Sequence, residues 1–188
     1  MKTVMKTTMV IALTLILSAF TSLTKKQVDI KESNITWKGY KVTGEHFGTI
    51  TLKEGTLVFD GKKLVDGNFV MDMKTINATD LEGEWKDKLD GHLKSEDFFG
   101  VEKNPTATLD FTNVKGNGNS YTVTANLTIK KITHPINFTL DVDGNTATTS
   151  FKIDRTKYDI KYGSASFFDD LKDKAIYDEF DLNATLKF

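Results

Sequence analysis

Alternation of apolar and polar residues runs through most of this chain and leaves it few folds to adopt. Tyr121, Val123, Ala125, Leu127 and Ile129 are separated by Thr122, Thr124, Asn126 and Thr128. The same period of two sets Ile35 with Trp37, Ile50 with Leu52, and Phe69 with Met71 and Met73. It returns in Ile136, Phe138, Leu140 and Val142, and again in Phe180, Leu182, Ala184, Leu186 and Phe188. Successive side chains of a strand point to opposite faces, so each segment has one apolar and one wet face, the pattern of half-buried antiparallel strands. Asp60-Gly61, Asn117-Gly118-Asn119 and Asp143-Gly144-Asn145 stand between segments and supply the positive φ that tight hairpins require. The spacing predicts about eight strands, and no long helical pattern alternates with them, which argues against a parallel α/β sheet. Strands of this kind close into a barrel and so lose their exposed edges. The expected class is all-β: an eight-stranded antiparallel barrel.

Two stretches depart from that period. Leu81, Trp85 and Leu89 recur every four residues, and His92 and Leu93 extend the stripe. Ser95, with Glu96 and Asp97 behind it, then precedes Phe98-Phe99 as the cap of a helical turn would. Residues 80 to 100 are read as one or two short helices over an opening of the barrel. Tyr162 to Leu171 is read as a loop leading into a turn of helix before the last strand.

The N-terminal residues belong to a different kind of segment. Lys2 and Lys6 precede the apolar run Met9 to Phe20, and small residues follow at Ser18, Ala19, Thr21 and Ser22. That is the layout of a secretory signal peptide, too short for a comfortable membrane span. Residues 1–24 are therefore expected to be a cleaved leader and residues 25–188 a single domain. The expectation is a periplasmic or secreted protein with no stable membrane insertion after cleavage. With no cysteine the domain has no disulfide and relies on its core. A net charge of -1 with no block of either sign argues against a nucleic-acid partner.

An eight-stranded barrel is wide enough either to be filled by its own side chains or to hold one small ligand. Here the inward residues are Ile, Leu, Val, Phe, Met and Ala, so any space between them would be dry and would favour an apolar guest. Trp37, Phe69, Met71, Phe111, Leu127 and Phe138 are candidates for the cavity wall, although alternation alone does not separate a wall from a core. Phe98, Phe99, Phe167 and Phe168 lie in the non-strand excursions and are candidates for the mouth. His92 could meet the polar end of a ligand with Asp90 orienting it; equally, a histidine at a helix end satisfies a backbone carbonyl. His46, His92 and His134 have no metal-ligand spacing, so no metal is expected. The chain has no Gly-x-Ser-x-Gly elbow, phosphate loop or dinucleotide fingerprint, and no catalytic residue is assigned.

Several motifs, in order along the chain, resemble the polyisoprenoid-binding YceI-like family. Val28-Asp29 with Ser33-Asn34-Ile35-Thr36-Trp37 resembles its opening strand. Gly91-His92-Leu93 through Phe98-Phe99 to Pro105 is similar to its central signature, and Leu127-Thr128-Ile129 with Thr133-His134-Pro135 to its Leu-Thr-Ile strand and Thr-x-Pro turn. Ile153-Asp154-Arg155-Thr156 through Tyr162-Gly163-Ser164 and Asp178-Glu179-Phe180 resembles a variant frequent in Bacteroidetes proteins. The resemblance implies a lipocalin-like barrel that carries a polyisoprenoid, an isoprenoid quinone or a similar long-chain amphiphile, with no cofactor beyond that bound lipid and no catalysis. A filled barrel serving as an envelope-stress or protein-interaction module is the alternative, and a monomer and a dimer both remain open. Three departures stand out. Leu89-Asp90-Gly91 replaces the family's Arg-Asp before His-Leu, Lys131 stands where the family often has glycine, and no histidine follows Trp37 in the first strand.

Overall fold

A computed structural model describes residues 22–188, so all but the last three residues of the expected leader lie outside the described residues. The alternating segments form nine strands: β1 (Leu23–Gln27), β2 (Asp29–Lys41), β3 (Gly44–Asp60), β4 (Lys63–Ala78), β5 (Thr106–Asn117), β6 (Ser120–Ile129), β7 (Ile132–Asp143), β8 (Thr146–Asp154) and β9 (Glu179–Lys187). Among the described residues, one helix, α1 (Gly83–Lys94), and 3-10 turns at Arg155–Tyr158 and Lys172–Lys174 accompany the strands.

Every pairing is antiparallel. From β2 to β9 each strand lies beside its sequence neighbour, and β9 returns to β2, which closes an eight-stranded up-and-down barrel. The ninth strand does not add a stave. β1 and β2 both pair with β3, at Leu23–Gln27 with Thr56–Asp60 and at Thr36–Lys41 with Gly44–Thr49, as two halves of one broken strand. The break is stabilised locally: Asp29 Oδ1 accepts from the amides of Lys31 (2.9 Å) and Glu32 (3.1 Å).

The two ends of the barrel differ. The glycine hairpins close the far end, where Gly61, Gly118 and Gly144 adopt φ of 60°, 70° and 57°. Beneath a partly polar hollow of about 540 Å3 between those hairpins, the interior is filled. Leu57, Leu64, Val123, Ala125 and Ala147 are fully buried, and Tyr121 is buried with its hydroxyl accepting from the Leu64 amide at 3.3 Å. A row of rings crosses the interior above it: Phe69–Phe111 at 5.7 Å, Phe111–Phe138 at 5.9 Å and Phe138–Phe151 at 4.9 Å between centroids. Each such side chain contributes about 1.5–3 kcal/mol by burial, before any gain from ring geometry.

The near end carries α1 and the segment 155–178. Burial rises along α1: Trp85 is exposed, Leu89 and His92 are half-buried, and Leu93 is buried. Only the C-terminal half of the four-residue stripe therefore meets the barrel, and Trp85 instead carries the Lys88 ammonium over its ring at 5.0 Å. Ser95 does not start a new helix. It ends α1, its amide reaching the carbonyls of Gly91 and His92 and its hydroxyl donating to His92 O at 2.8 Å. Phe99 N donates to Leu93 O and Val101 N to Lys94 O, both at 3.1 Å, so the chain folds back under the helix it has just left. Among the described residues no helix is long and apolar enough to cross a membrane.

Candidate functional site

The fold-back places Phe98 and Phe99 beneath α1 and leaves an apolar chamber in the near half of the barrel. Its free volume is about 120 Å3. β2 contributes Trp37, Gly39, Tyr40 and Lys41; β3 and β4 contribute His46 and Ile76. The helix supplies Leu89, His92 and Leu93, and Arg155, Ile176, Tyr177 and Phe180 complete the wall beside Phe98 and Phe99. Trp37, Ile76, Leu93, Phe98 and Phe99 are buried, whereas Tyr177 is exposed and marks the side on which the chamber meets solvent.

Backbone pairing and one buried cation hold the wall in place. Asp90 Oδ1 accepts from the Ala78 amide at 2.7 Å and Oδ2 from Lys86 Nζ at 2.8 Å, fixing α1 to the end of β4. Asp90 is thus committed to the scaffold and does not orient His92. On the other side Tyr177 N donates to Tyr40 O at 2.8 Å, and Val42 N to Ala175 O at 3.1 Å, laying residues 175–177 along the end of β2. Arg155 ties these pieces together. Its Nη1 donates to Ile160 O (2.8 Å), Nη2 to Ile176 O (3.0 Å) and Nε to Tyr177 O (3.1 Å), with the guanidinium 5.5 Å from the Phe98 ring centre. Burial pulls the Arg155 ionisation downward, and Asp178 and Asp154 pull it back up. An arginine remains charged in such a setting, so it serves as a fixed cationic clamp.

Among the described residues, the His92 ring has no hydrogen bond to a backbone carbonyl. The imidazole is gripped instead by aromatic edges, 5.4 Å from Phe98 and 4.4 Å from Tyr162, and its Nε2 is buried with no partner. Trp37 Nε1 is buried without a partner as well. At the rim, His46 Nδ1 lies 2.7 Å from Asp80 Oδ2, and Asp80 Oδ1 accepts from the Phe47 amide at 3.2 Å.

Four of the residues singled out in the sequence, Trp37, His92, Phe98 and Phe99, come together in this chamber. Phe69, Met71, Phe111, Leu127 and Phe138 do not; they belong to the barrel's own packing. Phe167 and Phe168 are half-exposed on the loop after Ser164, outside the chamber, with Lys161 Nζ 5.1 Å over the Phe167 ring. Sequence reasoning passed over Arg155 and Gly39 as site residues. Both carried a signal: Arg155 is the only arginine in the chain, and a glycine inside a strand marks a bend or a close approach by a ligand or another backbone.

A family model for the YceI-like domain matches residues 27–188. A UPF0312 protein of Pseudomonas aeruginosa is 41% identical over 80 residues, covering 38% of this chain and 41% of that protein. Another, of Pectobacterium atrosepticum, is 34% identical over 90 residues, covering 48% of this chain and 45% of its own length. The chain thus spans less than half the length of the curated relatives it matches. Among solved structures, Burkholderia cenocepacia BcnA superimposes with a TM-score of 0.67 at 19% identity, covering 85% of this chain and 98% of that one. A polyisoprenoid binding domain from Saccharophagus degradans, implicated in plant cell wall breakdown, gives a TM-score of 0.59 at 14% identity, covering 88% of this chain and 97% of that one. At these identities the structures establish a shared fold.

Proposed function

The chain belongs to the YceI-like domain family, and from that premise we propose that it binds one end of a long apolar chain in the chamber beneath α1 and does no chemistry on it. The guest class is a polyisoprenoid, an isoprenoid quinone or a similar long-chain amphiphile. Likeness to the Saccharophagus degradans polyisoprenoid binding domain supports that choice. The observation that carries the reading is the chamber itself, an apolar space kept open in a barrel whose other half is filled.

Each methylene moved from water into such a space is worth about 0.8 kcal/mol. A cavity of about 150 Å3 holds a benzene ring, so the chamber's 120 Å3 takes about one five-carbon isoprene unit. A longer stretch enters by displacing Phe98 and Phe99, which hang from a turn and not from a stave of the barrel. The charged and apolar N-terminal segment supports export to the periplasm or beyond. The packed far half favours the second reading, a filled barrel acting as an envelope-stress or protein-interaction module, which predicts no guest.

Native mass spectrometry of the protein purified from the cells that make it, with organic extraction, separates the two. A stoichiometric long-chain lipid is the expected result. A clean apo mass, unchanged after incubation with quinones and polyprenyl lipids, would transfer the assignment to the interaction module.

A further inference from the structure

Among the described residues, four buried side-chain polar atoms have no hydrogen-bond partner, and two of them, Trp37 Nε1 and His92 Nε2, belong to residues lining the one chamber. An unpaired buried polar atom is costly, about 1–3 kcal/mol each, and native interiors avoid it. Two on residues that line one otherwise apolar chamber therefore call for a partner that enters with the guest. Building on the chain-binding reading above, we propose that these two nitrogens form a headgroup subsite that recognises a single uncharged oxygen, hydroxyl or carbonyl, at the end of the bound chain.

The chemistry of the two groups narrows the ligand. An indole N–H only donates, and a neutral imidazole can donate or accept at Nε2. A carbonyl oxygen can accept from both; a hydroxyl can accept from Trp37 and donate to His92. A phosphate needs more donors and a counter-cation. Of the two cations in the wall, the Arg155 guanidinium already has each of its nitrogens donating to a backbone carbonyl, and Lys41 stands at the outer end of β2. Both rings are held before any ligand arrives. His92 is held edge-on by Tyr162 at 4.4 Å, a contact that does not depend on Phe98, and the Trp37 indole lies against the bare backbone of Gly48. Donors fixed in advance make a directional site, because no ordering is left to be done on binding.

Chain-matched probes test this on the purified protein: farnesol and farnesal as the hydroxyl and carbonyl arms, farnesene as the bare hydrocarbon, and farnesyl diphosphate. We expect farnesol or farnesal to bind about tenfold or more tightly than farnesene. Which of the two is tighter identifies the oxygen. Trp37→Phe and His92→Phe, which keep a ring in place, should each lose most of the preference for the oxygen-bearing probe, read as the ratio of its affinity to that of farnesene in the same variant. In the wild-type protein the Trp37 indole proton should move downfield with the oxygen-bearing probe and not with farnesene, with exposed Trp85 as the internal reference. Equal affinity for hydrocarbon and oxygen-bearing probes, with a static Trp37 indole signal, would overturn the subsite and leave the chain-binding reading standing. Tighter binding of the diphosphate would overturn it in favour of a charged head. Failure of every probe to bind would remove the chain-binding reading and the subsite with it.

Discussion

Trp37 and Gly48 lie opposite one another in the β2–β3 ladder, and the indole occupies the space a side chain on Gly48 would need. A β-carbon there would sit 2.8 Å from Trp37 Cζ2 and 1.9 Å from the carbonyl oxygen of Asn77. The backbone of β4 and the indole thus close on the same glycine from two sides. Gly48→Ala is expected to destabilise the fold by about 2–4 kcal/mol, because the obstructing atom on one side is main chain and cannot swing away. In thermal unfolding this is a drop of roughly 5–15 °C for a domain of this size. An unchanged midpoint would mean that β3 and β4 can separate at little cost.

The β6–β7 hairpin turns through Lys130 and Lys131, at φ of 49° and 65°. Left-handed backbone costs an L-residue about 1–2 kcal/mol, and two-residue hairpins ordinarily place Asn-Gly there. Lys131→Gly should therefore stabilise the protein by about 0.5–1 kcal/mol, the gain reduced by glycine's greater freedom when unfolded. The check is a higher urea midpoint with an unchanged slope. A lower midpoint would show that Lys131 makes a compensating interaction through its side chain.

Arg155 is buried and spans the carbonyls of Ile160, Ile176 and Tyr177, two stretches of chain held by one side chain. Arg155→Met should cost about 3 kcal/mol or more, since the carbonyls lose their donors inside the protein. Arg155→Lys should recover little, because an ammonium lacks the planar fork that reaches all three. Hydrogen exchange should localise the damage to residues 155–178. Protection lost evenly over the whole barrel would mean the clamp is part of the global core instead.

Asp80 gives the near end a pH dependence of known sign. Burial pushes its carboxyl up, but hydrogen bonds from His46 and the Phe47 amide outweigh this and hold it below the ordinary aspartate range. A carboxylate depressed in the folded state stabilises the fold above its unfolded value, about 3.9, and that contribution is lost as pH falls through the folded value. Asp80→Asn should be less stable than wild type at pH 7 by under about 1 kcal/mol, the scale of polar pairs within reach of solvent. The gap should narrow steadily below about pH 4. Urea midpoints that differ equally at pH 7 and pH 3 would assign the effect to packing.

Alternation carried the barrel because it is a local, repeated signal: Tyr121 to Ile129 could face inward only as a strand. It could not divide the inward residues into wall and core. Trp37 and Phe138 read alike in the sequence, yet one borders open space and the other stacks on Phe151 at 4.9 Å. That difference depends on what crosses above each residue, and α1 crosses only the near end. Phe98-Phe99 and Phe167-Phe168 are the same dipeptide in similar loops. The first is drawn inward by the backbone bonds from Phe99 to Leu93 and from Val101 to Lys94. The second follows the Ser164 turn and stays half-exposed. The unpaired nitrogens of Trp37 and His92 were illegible for the same reason, since a missing partner is a property of the assembled chamber.

Gly39 offers the cleanest way to close the chamber without harming the barrel. It is two residues from Trp37 on the same strand, so both face the chamber, and a β-carbon built on it meets nothing within 4 Å. Its backbone does not require glycine, because its φ is not among the positive values. Gly39→Leu would place four carbons into a space of about 120 Å3 lined by aromatic and aliphatic walls. Glycine in a strand interior is itself a weak point, so the leucine should leave stability unchanged or raise it by about 1 kcal/mol. Guest retention should fall sharply at the same time, read as loss of extractable lipid from a protein with an intact melting transition. Loss of binding with full stability separates a blocked site from a broken fold, which truncations of Phe98 or Trp37 do not. A stable Gly39→Leu protein that still carried a stoichiometric guest would move the binding site out of this chamber and into the barrel's aromatic row, where Phe69, Phe111 and Phe138 would have to part to admit it.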